Sequence, residues 1–273
     1  MFRLTLPDKV CLHVELNGTG RPLVLLHGFT GCAANWQAHA EQFASQFTTV
    51  RIDLLGHGGS DSPADPELYQ MARCVEDLAA VFDHLGLEQA AVLGYSMGGR
   101  VALHLAAAYP ERVGALILES ASPGLADPAE RAARVISDEA LATRIEHEGL
   151  EAFVDYWEHL PLFASQSGLP EATRAALRTQ RLQNNSIGLA NSLRGLGVGA
   201  QPSLWAQLPT LQIPTLLIAG ALDEKFMAIA QQMAAVMPAA KWVSVPNAGH
   251  SVHLERPAEF ERVVLDWLSE IGD

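Results

Sequence analysis

With 273 residues, 49% of them hydrophobic and 18% charged, the chain is long enough for one large α/β domain with a well-buried core. A net charge of −13 disfavours nucleic acid and anionic membranes as partners. No apolar run approaches the roughly 20 residues of a membrane helix, and the scattered Cys11, Cys32 and Cys74 fit no metal-ligand spacing, reading instead as reduced thiols of a cytosolic protein.

The N-terminal "MFRLTLPDKVCLHVEL" alternates like a strand and lacks the apolar centre of a signal peptide. "PLVLLHGF" reads as a strand ending in a loop, and "TTVRIDLLGHGGS" as another. "AAVLGYS", "ALILES", "PTLLIAG" and "KWVSVP" continue the series, with helical patterns between them, as at Tyr69–Leu85 and Pro257–Ile271. Strand–helix alternation with continuously apolar strands predicts a mostly parallel sheet covered on both faces, with ligands bound beyond the strand carboxyl ends. Between about Ser122 and Trp205 no buried strand is evident, and the pattern is helical, punctuated by Pro123, Pro161, Pro170 and Pro202. The expected organisation is a core over 1–121 and 206–273, with a helical cap over 122–205 on the sheet's carboxyl edge. Fifteen of the eighteen Lys and Arg residues are Arg, including all seven in the cap. Arg grips carboxylates better than Lys does, although codon bias of a GC-rich genome is the expected cause for most of them.

"LGYSMGGR" places one serine among three glycines, after an apolar strand and before the helical "RVALHLAAAYPERV". Ser96 then lies on a sharp strand-to-helix turn, with Gly94 and Gly98 supplying space, in the G-x-S-x-G pattern of an exposed nucleophile. Asp223, after the strand "LLIAG", is the candidate acid; it also suits a helix N-cap. Glu119, at the end of "ALILE", is the alternative acid. His250, in the glycine loop of "VPNAGHSVHLERP", is the candidate base, with His253 its nearest rival and His57 of "LLGHGG" a loop-packing residue. A free serine hydroxyl is a weak nucleophile and a weak base, so His250 would take its proton while Asp223 held the imidazole. The backbone N–H groups of Phe29 and Met97 are the candidate donors to a developing oxyanion.

The elbow, "HGFTG", "IDLLGHGGS", "GALDEKF" and "AGHSVHLERP", in this order, resemble the α/β-hydrolase superfamily over nearly the whole chain, departing at Leu55, where many members carry proline. "GYSMGGR", "SPGLADPAERAARVISD", "YWEHLPLFAS" and "RTQRLQNNSIGLANSLRGLGVGAQPSLW" further resemble the menaquinone-pathway family that makes 2-succinyl-6-hydroxy-2,4-cyclohexadiene-1-carboxylate. That resemblance implies a cytoplasmic lyase without cofactor or metal. Its triad serine would abstract a proton alpha to a succinyl carbonyl, with pyruvate eliminated from the ring. It also implies a polycarboxylate substrate clamped by Arg100, Arg134 and Arg181, with Tyr95 and Trp157 lining the pocket. Arg174, Arg178 and Arg181 fall at helical spacing, and a solvated face is the expectation for Arg174 and Arg178. Two other readings stay open: a carboxylesterase or carbon–carbon hydrolase using Ser96 covalently, and a non-catalytic binding protein. Oligomeric state is not legible in the sequence.

Overall fold

A computed structural model describes residues 1–272. Its strands are β1 (Phe2–Thr5), β2 (Cys11–Asn17), β3 (Arg21–Leu26), β4 (Phe47–Ile52), β5 (Ala90–Tyr95), β6 (Val113–Glu119), β7 (Thr215–Gly220) and β8 (Ala240–Val245). They form a single sheet in the order β1-β2-β4-β3-β5-β6-β7-β8, antiparallel through β1, β2 and β4 and parallel from β4 onward. The helices are α1 (Gln37–Phe43), α2 (Met71–Leu85), α3 (Met97–Ala108), α4 (Pro128–Glu158), α5 (Glu171–Leu182), α6 (Ser186–Leu196), α7 (Glu224–Val236), α8 (Val252–Glu255) and α9 (Pro257–Glu270).

The run "LVLL" in β3 shows why the strands read as continuously apolar. Successive side chains point to opposite faces, and here both faces are covered. Val24 and Leu26 join the core that contains Val101 of α3 and Leu78 of α2. Leu23 and Leu25 join the opposite core, with Phe43 of α1 and Phe260 of α9.

The N-terminal stretch is two strands rather than one. Pro7, Asp8 and Lys9 turn the chain, with Lys9 at φ 73 and Leu6 N donating to Val10 O at 2.8 Å. Alternation continues on both sides of that turn, so periodicity alone merges the hairpin arms. Helix α2 begins at Met71 because Gln70 is extended, and Pro66–Tyr69 forms a separate 3-10 turn capped by Asp65. Helix α9 ends at Glu270, one residue short of the expected Ile271.

Among the described residues, the segment between β6 and β7 contains helices and turns but no strand. Helix α4 bends at Gly149, whose φ of 82° suits a residue without a Cβ. Ala142, Ile145, Phe153 and Val154 of α4 pack with Leu189, Ala190 and Leu193 of α6 in a third, separate core. Phe29 and Trp157 lie against it, so the helical segment meets the sheet through an aromatic contact beside the β3 loop. Because β3 and β5–β8 run parallel, the loops bearing Phe29, Ser96, Asp223 and His250 all emerge at the same sheet edge.

Candidate active site

Ser96 has φ 51° and ψ −107°, a strained conformation for a residue with a side chain. Its N–H donates to Glu119 O at 2.8 Å, and its carbonyl accepts from Arg100 N at 3.0 Å. Neighbouring glycines permit the turn: a Cβ at Gly94 would sit 2.3 Å from Gly98 O, and one at Gly98 would sit 2.4 Å from Leu26 O.

His250 Nδ1 donates to Asp223 Oδ2 at 2.7 Å, and His250 Nε2 lies 3.0 Å from Ser96 Oγ. A carboxylate only accepts, so Nδ1 carries the proton and Nε2 is left to accept from the serine hydroxyl. Asp223 combines both roles considered for it: Oδ1 accepts from Phe226 N at 3.2 Å as the N-cap of α7, while Oδ2 holds His250. Glu255 holds the His250 loop through Gly249 N (2.7 Å) and Ser251 N (3.3 Å); no sequence motif singled it out.

Glu119 and His253 form a second, separate pair. Glu119 is fully buried and accepts from His253 Nδ1 at 2.9 Å and His253 N at 3.1 Å. The His253 ring packs between Trp36 and Tyr95, away from Ser96 Oγ. His57 Nδ1 donates to Leu55 O at 3.2 Å, and the ring packs on His27 and Phe29. His27 pins the β3 loop: its Nε2 accepts from Leu54 N at 3.0 Å and its Nδ1 donates to Gly28 O at 2.8 Å. Among the described residues, the N–H groups of Phe29 and Met97 have no protein acceptor.

Ser96 and His250 open on a cavity of about 660 Å³. Phe29, Tyr95, Trp157 and Phe163 form an aromatic wall. Arg100 and Arg134 also line it, with Lys225, a cation that sequence reasoning did not select. Arg134 Nε donates to Asp138 Oδ1 at 2.7 Å. Arg181 lies elsewhere, lining an adjoining cavity of about 40 Å³ that shares Phe29, Tyr95, Trp157 and Phe163 with the first. It is buried there, 3.4 Å from Glu158 and over the Phe163 ring. Arg174 is exposed, and Arg178 is half-buried, 2.7 Å from both Asp155 and Glu158. One helix thus divides its arginines between solvent and interior. Tyr95 OH lies 2.6 Å from Ser251 Oγ. Among the described residues, no group of three or more His, Cys, Asp or Glu side chains is arranged to hold a metal, and no helix is long and apolar enough to cross a membrane.

Three buried histidines make stability pH-dependent. Burial lowers the pKa of His39 and His57 to about 3 and that of His104 to about 4. Their stabilising effect is therefore present above the unfolded value of about 6.5 and is lost as pH falls toward the folded values. Each adds a slope of up to about 1.4 kcal/mol per pH unit in that window. Burial also raises the Asp77 carboxyl to about 7, with the opposite sign over the same window. Denaturant titrations in an Asp77→Asn background should therefore show unfolding free energy falling from pH 6.5 to pH 4; a flat profile there would remove these histidines as its cause.

The sheet, the strained serine turn and the hydrogen-bonded Ser–His–Asp chain at the carboxyl edge define a class. The sequence profile of the alpha/beta hydrolase fold matches residues 21–257. A 2-succinyl-6-hydroxy-2,4-cyclohexadiene-1-carboxylate synthase of Salmonella newport (strain SL254) is 37% identical over 249 residues, covering 91% of this chain and 92% of that protein. A Bacillus subtilis (strain 168) protein that carries the same name provisionally is 47% identical over 270 residues, 98% of each chain. The solved structure of MenH from S. aureus superposes with a TM-score of 0.92 at 36% identity, covering 96% of this chain and 99% of that one. The chain belongs to the alpha/beta hydrolase fold family and, within it, to the 2-succinyl-6-hydroxy-2,4-cyclohexadiene-1-carboxylate synthase family.

Proposed function

We propose that the protein is a lyase of menaquinone biosynthesis, converting a succinyl-hydroxycyclohexene precursor into 2-succinyl-6-hydroxy-2,4-cyclohexadiene-1-carboxylate and pyruvate. The observation that carries this reading is the opening of the Ser96–His250–Asp223 chain onto a cavity lined by both Arg100 and Arg134. His250 Nε2 takes the Ser96 proton, and Ser96 Oγ removes a proton alpha to the succinyl carbonyl. The released electron pair shifts into the ring and breaks the ring carbon–oxygen bond, so that pyruvate departs as its enolate. The proton held by the His250 imidazolium is then returned to the enolate, giving pyruvate and restoring neutral Ser96 and His250. Asp223 holds the His250 tautomer and stabilises the imidazolium. Negative charge developing on the succinyl oxygen meets the free N–H groups of Phe29 and Met97. Residues 122–205 act as the cap between core parts 1–121 and 206–273; Asp273 itself lies outside the described residues. The chemistry draws on no cofactor or metal, and the site of action is the cytoplasm.

The test is pyruvate release from the cyclohexene precursor, measured beside hydrolysis of a p-nitrophenyl ester. Enzyme quenched during turnover should show unmodified Ser96 by mass spectrometry. The aromatic cavity wall also suits a carboxylesterase or carbon–carbon hydrolase, and a kinetically competent adduct on Ser96 would favour that reading. A protein that neither releases pyruvate nor cleaves esters is a binding protein on this fold.

Arg100, Arg134 and Arg181 are the proposed contacts for substrate carboxylates, with Tyr95 and Trp157 shaping the pocket. Each lost charge-assisted hydrogen bond costs about 1.5–3 kcal/mol, so Arg→Ala should reduce kcat/KM roughly 10- to 150-fold. Arg181→Ala should fall at the lower end, since its guanidinium lies in the adjoining cavity. Lysine should rescue poorly, because a point charge does not reproduce the planar fork. Arg174→Ala and Arg178→Ala are the controls. If Arg181→Ala behaves like them toward the cyclohexene substrate, Arg181 serves the fold and not the ligand.

A further inference from the structure

Arg100 differs from the other arginines around the cavity. Arg134 meets Asp138 and Arg181 meets Glu158, but among the described residues Arg100 has no carboxylate within salt-bridge distance. Its Nη1 donates to two neutral acceptors, Leu196 O at 2.6 Å and Gln201 Oε1. Only 8% of the residue is exposed. Asp138, held by Arg134, acts on Arg100 through space without hydrogen-bonding it, and a buried cation that no carboxylate contacts is costly. Burial and the nearby Arg134 outweigh the opposing charge of Asp138 and lower the Arg100 pKa to about 10. Such a charge is stabilised by an anion arriving from the cavity.

Gln201 is 1% exposed and sits at the end of the loop that follows α6, its N–H donating to Gly197 O at 3.1 Å. A guanidinium only donates, so the amide oxygen must face Arg100 and the Nε2 group must turn away. Among the described residues Nε2 has no partner. It lies behind Gly124, a residue of the cavity wall, where a Cβ would come within 2.8 Å of it. Gln201 thus backs both Arg100 and the bare backbone beside it.

We propose that Gln201 is a positioning residue: its neutral carbonyl fixes the Arg100 guanidinium toward the cavity and leaves the positive charge for a carboxylate of the ligand. This rests on the reading of the cavity as a polycarboxylate site. A glutamate at this position would keep the shape and the hydrogen bond but neutralise the cation, whereas methionine would remove the acceptor and add no charge.

The test is equilibrium binding, by calorimetry and tryptophan fluorescence, of 2-succinylbenzoate and of its dimethyl ester; Trp157 and Trp205 line the cavity. The first is a stable aromatic dianion bearing the succinyl and ring carboxylate groups, and the second is its neutral counterpart. Gln201→Glu should weaken the dianion 10- to 100-fold and the diester less than threefold, with the unfolding midpoint held or raised. Gln201→Met should weaken the dianion about 3- to 10-fold and carries the test if Gln201→Glu does not fold. Dianion affinity within twofold of wild type in the folded variants overturns the proposal, as does an equal loss for both probes, which marks a purely structural role. Wild-type protein that does not prefer the dianion overturns the polycarboxylate reading and Gln201's role together. Wild-type protein that prefers the dianion, loses that preference in Gln201→Glu and releases no pyruvate leaves Gln201 standing and removes the proposed reaction.

Discussion

Ser96→Ala and His250→Ala should each lower kcat for pyruvate release by roughly 10³- to 10⁶-fold, with the double mutant little worse than either single. The non-additivity follows from the geometry. His250 Nε2 has one proton to take, from Ser96 Oγ at 3.0 Å, and Ser96 Oγ has one acceptor for that proton. Removing either group ends the transfer, so removing the second costs little more. Residual turnover would come from the free N–H donors and from binding. Near-normal kcat in His250→Ala would remove His250 from the mechanism. His253 would then be tested, although its Nδ1 is committed to Glu119 and its ring is wedged between Trp36 and Tyr95.

Glu119→Ala should act on stability. The carboxylate and the His253 imidazole are both buried, and removing one partner strands the other in the core. Breaking such a pair costs about 3–5 kcal/mol, enough to lower the melting temperature by on the order of 10 °C in a protein of this size. The Glu119 carbonyl that accepts from Ser96 N belongs to the backbone and is retained. kcat for the folded fraction at 25 °C should therefore stay within about tenfold of wild type. A collapse of kcat comparable to that of Ser96→Ala, with an unchanged melting temperature, would make Glu119 the acid in place of Asp223. The measurement separates two carboxylates, one at the end of β6 and one in the loop after β7, that differ in which histidine they meet.

The class of fold and the identity of Ser96, Asp223 and His250 as partners were legible along the chain because each depends on local pattern. Apolar runs such as "LVLL" in β3 mark strands covered on both faces, glycines at 94 and 98 mark a turn with no room for a Cβ, and parallel connections carry loops to one edge whatever their separation in sequence. Periodicity was a poorer guide where the chain reversed without breaking its alternation, as at Pro7–Lys9. The arginine spacing of α5 said that Arg174, Arg178 and Arg181 shared a face, but not which would be buried. Helix packing decides that, and it buries Arg181 beside Phe163 while Arg174 remains in solvent.

What the sequence by itself determined is the sheet, the strained serine turn and the order of the residues that converge on it. These follow from steric rules acting over a few residues at a time. Tertiary structure alone decided the state of the charges. Arg100 lies one turn after Ser96, yet its acceptors come from residues 196 and 201, roughly a hundred positions away. Arg134 finds Asp138 within its own helix, Arg181 is turned into a second cavity, and Lys225 enters the wall of the first. Electrostatic energy depends on distance and burial in three dimensions, and neither is a property of spacing along the chain. A cation's availability to a ligand is therefore settled only once the helices between β6 and β7 have packed over the edge where Ser96 lies.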